Sequence, residues 1–133
     1  MQYDLFITPD GKFGFYDETR KIYNGTSIVT DNQWHLGAIV IDGSNSKIYV
    51  DGVAEKTFTA NIKSISANSI IGAFPTGNNY MNGLIDEVRV YNRPLPQSEI
   101  LSLYEYSIPD LVAHYNFEDN VQDQSGNAHH GAM

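Results

Sequence analysis

Stretches in which apolar and polar residues alternate with a period of two recur along this chain, with turn signals between them. Tyr3–Thr8 alternates loosely, meets Pro9-Asp10-Gly11, and resumes over Lys12–Tyr16, which predicts an opening β-hairpin. Ser27–Thr30 reads as a short strand. Trp34–Ile41 is too densely apolar for a half-exposed strand and predicts a central one, with Trp34 in the core. Asp42-Gly43-Ser44-Asn45 is a turn. Lys47–Val50 and Val53–Thr59 then flank Asp51-Gly52, the strongest short hairpin signal in the sequence. Asn68–Gly72 reads as another short strand, and residues 75–83, rich in Gly and Asn, as an exposed loop.

Gly83–Asn92 predicts a strand with Leu84, Asp86, Val88 and Val90 on one face and Ile85, Glu87, Arg89 and Tyr91 on the other. Only Pro96–Tyr106 has helical spacing, with Ile100, Leu103 and Tyr104 at i, i+3 and i+4 and Pro96 in the first turn. Leu111–Phe117 is a further strand, and Glu118–Met133 is a polar tail. About eight short strands with one short helix predict an all-β fold, an antiparallel β-sandwich or jelly roll. An α/β fold is excluded, because no helical segments alternate with the strands.

The chain has 133 residues, one domain's length, and 41% of them are hydrophobic, enough for a core. Lys and Arg number 8 against 16 Asp and Glu, a net charge of −8. Such a chain is repelled by phosphate backbones and anionic lipid, so no nucleic-acid partner and no membrane insertion are expected. No apolar run approaches the roughly 20 residues of a membrane-spanning helix. The first residues lack the basic and apolar regions of a signal peptide. Cysteine is absent. Disulfides, thiolate metal sites and thiol nucleophiles are thereby excluded.

Three segments resemble the laminin-G-like jelly roll of the concanavalin A-like lectin/glucanase superfamily. Trp34-His35-Leu36-Gly37-Ala38, running on to Lys47-Ile48-Tyr49-Val50-Asp51-Gly52, is similar to the family's Trp-His hairpin. Met81-Asn82-Gly83-Leu84-Ile85-Asp86-Glu87-Val88-Arg89-Val90-Tyr91-Asn92-Arg93 resembles its most distinctive stretch. Leu111-Val112-Ala113-His114-Tyr115-Asn116-Phe117, leading to Asp123-Gln124-Ser125-Gly126-Asn127, resembles its opening strand and turn. The order departs from the family, because the opening motif here follows the closing one. Two organisations fit. Residues 1–106 are the later part of one sandwich and 107–133 the start of the next module of a tandem array, or the two parts form one circularly permuted, shortened sandwich. In either, Leu111–Phe117 is expected to pair beside Leu84–Tyr91. A shortened sandwich leaves exposed sheet edges, which predicts self-association.

Catalysis finds little support. The Glu-x-Asp-x-x-Glu strand of the laminarinase-type relatives is missing, and the adjacent pairs Asp86-Glu87 and Glu118-Asp119 point to opposite faces if they lie on strands. There is no nucleophile elbow, phosphate loop or His-x-x-x-His pair, and His129-His130 lies in the polar tail. Not an enzyme is the resulting expectation.

Calcium is the better chemical candidate. Asp123 with Ser125, Gly126 and Asn127 offers a carboxylate and tight-turn oxygens, and Asp86 interrupts an apolar strand face. If the two strands are neighbours, Asp86 and Asp123 could share one Ca2+, and the resemblance implies a structural calcium in this region. The alternative is that Asp86 pairs with Arg89 or a backbone amide and Asp123 caps a turn.

For a carbohydrate site, the loop carrying Phe74, Asn78, Asn79 and Tyr80 holds aromatic and amide groups, although Tyr80 itself reads as tucked into the core. Tyr16, Tyr23 and Asp17-Glu18 read as a second contributing loop. Asn24-Gly25-Thr26 matches a glycosylation acceptor.

The resemblance thus implies a non-catalytic carbohydrate-binding or adhesion module of a larger extracellular or cell-surface protein, with a glycan or glycoprotein as partner. A purely structural spacer repeat and an accessory domain of a glycosidase or sialidase are the alternatives.

Overall fold

The computed structural model describes residues 4–17, 19–60, 62, 70–73 and 80–105, together with the backbone of 113–115. The chain divides into two compact units, one of Met1–Lys63 and Arg93–Ile108, the other of Ser64–Asn92 and Pro109–Met133. The strands are antiparallel and α1 is one short helix, so the all-β sandwich expectation holds.

In the first unit β1 (Asp4–Ile7), β2 (Lys12–Tyr16) and β3 (Ile22–Ile28) form one sheet in that order. The opening hairpin turns where Pro9-Asp10-Gly11 predicts. Gly11, at φ 80°, donates its N–H to the Thr8 carbonyl over 2.9 Å, and the Lys12 N–H reaches Thr8 Oγ1 over 2.8 Å. Asp17, fully buried, organises the return from β2 to β3. Its Oδ1 accepts the Thr19 N–H at 2.9 Å and the Thr19 hydroxyl at 2.6 Å.

A second sheet has the order β4 (Gly37–Val40), β5 (Ser46–Val50), β6 (Val53–Phe58), with a single 3-10 turn at Gly43–Asn45 before β5. Asp51 and Gly52 take φ of 51° and 79°, two consecutive positive values that match the twist of the flanking strands.

The two sheets face each other across an aromatic core. Phe15, Tyr23, Ile48 and Phe58 are buried together, with Phe13, Ile39, Ala60 and Ile62 packed around them. Tyr23 stacks on Phe58 at 4.2 Å between ring centroids, and Phe15 tilts against Phe58 at 5.6 Å. Glu55 of β6 ties the sheets at their margin, its Oε2 accepting the N–H of Thr26 at 2.7 Å and of Ser27 at 3.2 Å. These are edge groups of β3 that would otherwise invite another strand.

Helix α1 (Gln97–Glu105) falls where the spacing predicts. Ile100 is buried, Leu103 half-buried, and Tyr104 exposed. Arg93 Nη2 donates to Glu99 Oε2 at 2.8 Å and fixes its first turn, while Leu101 lies against Gly52. Among the described residues no helix is long and apolar enough to cross a membrane.

In the second unit β7 (Val88–Val90) pairs antiparallel with β8 (Ala113–Tyr115), with Val88 opposite Tyr115 and Val90 opposite Ala113. The pairing expected between these two segments is therefore present.

Four expectations need correction. The strand expected at Ser27–Thr30 begins at Ile22 and ends at Ile28, because its inward positions are Tyr23 and Gly25, and a glycine gives no apolar signal. The strand over Trp34–Ile41 is only Gly37–Val40 and lies at the edge of its sheet, with β5 in the centre. Trp34 is 64% exposed, outside the core. The strand over Gly83–Asn92 shrinks to three residues because Glu87 takes φ 53°, which no strand accommodates; Leu84 and Asp86 before it are exposed. Residues 70–72 of the Asn68–Gly72 segment form no strand; Ala73 bridges Tyr80 instead.

Candidate functional site

The best-defined polar arrangement lies on the connection between β3 and β4. Its residues, Asp31-Asn32-Gln33-Trp34-His35-Leu36, follow the point where the Val29 N–H bonds the Gly11 carbonyl at 2.7 Å. Asp31 Oδ1 accepts the Gln33 N–H at 3.0 Å, an Asx turn, and Asn32 adopts φ 65°, a conformation that asparagine tolerates better than most residues. This tight reversal throws Trp34 outward.

His35 then locks the loop. Its Nδ1 lies 2.8 Å from Asp51 Oδ2 and its Nε2 3.0 Å from Asp31 Oδ1. The other oxygen of Asp51 accepts the Leu36 N–H at 2.9 Å, and the Asp51 N–H donates to the Leu36 carbonyl at 2.9 Å. The loop is thus fastened to the β5–β6 turn at His35 and at Leu36. Hydrogen bonding to Asp51, then to Asp31, raises the His35 pKa above its ordinary 6.5 against the opposing effect of burial. The bond to His35, followed by that from the Gln33 N–H, lowers the pKa of Asp31.

Chemically this is a presentation device. An exposed indole follows Asp31, Asn32 and Gln33 in sequence, with the backbone hydrogen-bonded at Gln33 before it and at Leu36 after it. Both imidazole nitrogens face carboxylates, which leaves neither placed to take a proton from a nucleophile.

The residues singled out by sequence are distributed differently. Tyr80 is 74% exposed, not tucked into the core, and its neighbour Met81 donates its N–H to the Gly72 carbonyl at 2.8 Å. Phe74, Asn78 and Asn79 lie outside the described residues, as does Glu18. Tyr23 and Tyr16 are strand residues, not members of one loop. Tyr23 is 5% exposed, and its hydroxyl donates to the Thr59 carbonyl at 2.8 Å, so it serves the core and offers no face to a ligand. Tyr16 is half-buried on the opposite, outer face of the same sheet, where it pairs with Ile22 and tilts against Phe6 at 5.8 Å. Burial and a hydrogen bond to Asp4 push its pKa up to about 12. Asp17 is buried and accepts the Thr19 and Lys21 N–H groups of its turn. Asn24 is exposed on β3, beside a buried Gly25 whose added Cβ would meet Glu55.

For the calcium expectation, Asp86 offers an exposed carboxylate whose Oδ1 accepts the Glu87 N–H at 2.7 Å, while Glu87 pairs with Arg89. Asp123, Ser125 and Asn127 lie outside the described residues. Among the described residues no group of three potential metal ligands forms.

A laminin G family model, described as concanavalin A-like lectin/glucanases superfamily, matches residues 2–101. This chain belongs to that superfamily. The matched span includes both sheets of the first unit and the Trp34 loop. No curated protein matches the chain. Among solved structures, an S-layer domain-containing protein from Clostridium thermocellum is similar at 23% identity over 75% of this chain, with a TM-score of 0.43. The chain spans 54% of that structure's length.

Sequence alone places Trp34 in the core because tryptophan is so often buried. The signal was there in the run Asp31-Asn32-Gln33 before it, a polar bend in which a tryptophan has no strand to carry it inward.

Proposed function

We propose that this module recognises carbohydrate through the Trp34 loop, as a non-catalytic part of a larger extracellular or cell-surface protein. The observation that carries this reading is the exposed indole of Trp34 on a loop fixed by the Asp31–His35–Asp51 bonds. An indole offers a flat apolar face to the C–H side of a pyranose, and a pre-ordered loop spares the ligand the entropy of immobilising it. Asn32, Gln33 and Asp31 supply the partners that hydroxyls require. Superfamily membership supports the reading by analogy of fold. A net charge of −8 favours neutral glycans over sulfated or sialylated ones.

Three features argue for binding without turnover. His35 has no uncommitted nitrogen, Asp17 is buried in its turn, and Asp51 is bonded to Leu36 and His35.

The test is a neutral-glycan array followed by calorimetry on the best hit. Wild-type binding should be lost in Trp34→Ala, while the exposure of the side chain predicts a stability change within about 0.5 kcal/mol. Binding that survives Trp34→Ala refutes the assignment of the site. Silence of the wild type across the array would favour the structural spacer instead.

A further inference from the structure

The bonding of His35 contains a requirement that neutral imidazole cannot meet. A neutral ring carries one N–H and one lone pair, whereas the imidazolium carries two N–H groups. Here both nitrogens stand within 3.0 Å of a carboxylate oxygen, Nδ1 against Asp51 and Nε2 against Asp31. In either neutral tautomer one lone pair would confront a carboxylate at hydrogen-bond distance. Only the doubly protonated ring satisfies both.

The two carboxylates come from different elements. Asp31 belongs to the loop that carries Trp34, and Asp51 to the β5–β6 turn. These are the charged groups that act on the ring, and both favour its protonated form. The Asp51 half of the bridge has support that the Asp31 half lacks. Asp51 is independently tied to the Leu36 backbone by two hydrogen bonds, whereas Asp31 is about half exposed and is otherwise bonded to the Gln33 N–H of its own loop. Loss of a proton from the ring would therefore release the Asp31 side first, leaving the bend that projects Trp34 held by its own Asp31–Gln33 bond alone.

We propose that His35 is the positioning residue of the recognition loop, and that it holds Trp34 in place only as the imidazolium, so that presentation of the indole is set by pH. The link to ligand binding rests on the carbohydrate reading above; the loop movement itself does not.

Trp34 is the only tryptophan in the chain, so its fluorescence reports this loop alone. The experiment is emission and acrylamide quenching of the whole chain from pH 5 to pH 9 without sugar, with the His35 ring followed by NMR in parallel. In the wild type a single sigmoidal change is expected, its midpoint above 6.5 and equal to the midpoint of the His35 ring. His35→Gln should abolish the change. His35→Arg, which keeps two donors and a permanent charge, should hold the low-pH signal throughout. Asp51→Asn keeps an acceptor for Leu36 but removes one charge, and should move the midpoint towards 6.5.

Trp34 emission that stays flat while His35 titrates overturns the proposal. So does a midpoint at or below 6.5, or a transition that persists in His35→Gln. Because no sugar is present, a flat trace alongside intact glycan binding removes the switch and leaves the recognition reading standing. A clean titration in a chain that binds no glycan does the reverse.

Discussion

Gly52 gives the sharpest test of how the β5–β6 turn joins the rest of the first unit. Its φ is +79°, and a Cβ built there would lie 2.7 Å from Leu101 Cδ1 and 3.1 Å from Leu101 Cα in helix α1. Gly43 is the matched control, with φ +51° and nothing within 4 Å of an added Cβ. Both substitutions to alanine incur the left-handed penalty of about 1–2 kcal/mol. Both recover about 0.4–1 kcal/mol through a less flexible unfolded chain. Gly43→Ala is thus expected to cost about 1 kcal/mol. Gly52→Ala must also displace Leu101, and because one of the close atoms is backbone, the helix itself has to shift. Overpacking of this kind adds about 1–3 kcal/mol, for a total near 3 kcal/mol. Urea unfolding of the wild type and both variants measures the difference, with an unchanged m-value as the check on two-state behaviour. Equal losses for the two variants would refute the reasoning, since they would mean that α1 does not rest on the turn.

Other expectations are quickly stated. For His35 the folded-state pKa is raised above 6.5, so its contribution to stability is complete below pH 6.5 and is lost as pH rises through the folded value. The stability gap between wild type and His35→Gln should accordingly be wider at pH 5.5 than at pH 8.5, measured by urea unfolding; a gap that widens upward in pH contradicts the sign. Glu55→Ala frees the Thr26 and Ser27 N–H groups on the margin of β3, and sedimentation velocity should show increased self-association; a variant as monodisperse as wild type would show that this edge is blocked by something else. The calcium expectation is decided by thermal unfolding in EDTA and in millimolar calcium. Asp86→Ala should match wild type in EDTA within about 0.5 kcal/mol, and a calcium-dependent rise present only in wild type is what a shared ion requires.

The parts of the fold legible in sequence are those where the turn chemistry is local. Pro9-Asp10-Gly11 and Asp51-Gly52 force reversals through φ values their residues prefer, and each hairpin lies where they place it. The helix was legible from Ile100 and its spacing. Strand β3 was not, because Tyr23-Asn24-Gly25-Thr26-Ser27 buries a tyrosine and a glycine and presents polar residues outward. Alternation counts side chains, and Gly25 has none to count. Tyr16 and Tyr23 are close in sequence, but register separates them: Phe15, not Tyr16, stands opposite Tyr23, so the two tyrosines occupy opposite faces. The truncation of the Gly83–Asn92 strand depends on the backbone of Glu87, and nothing in a glutamate announces a positive φ.

The site and the fold converge on Asp51, which explains why the loop is so well held. This residue has three tasks: it occupies a left-handed turn position at φ 51°, it bonds the Leu36 backbone through both its carboxylate and its own N–H, and it accepts from His35. The first two belong to the hairpin and do not depend on the imidazole. The third is conditional on the imidazole. An arrangement of this kind separates a permanent anchor from a protonation-dependent one within 3 Å of the same side chain. Asparagine at 51 would keep the turn conformation and an oxygen for Leu36 while weakening the hold on His35. Structural and electrostatic roles that look inseparable at Asp51 can therefore be taken apart there.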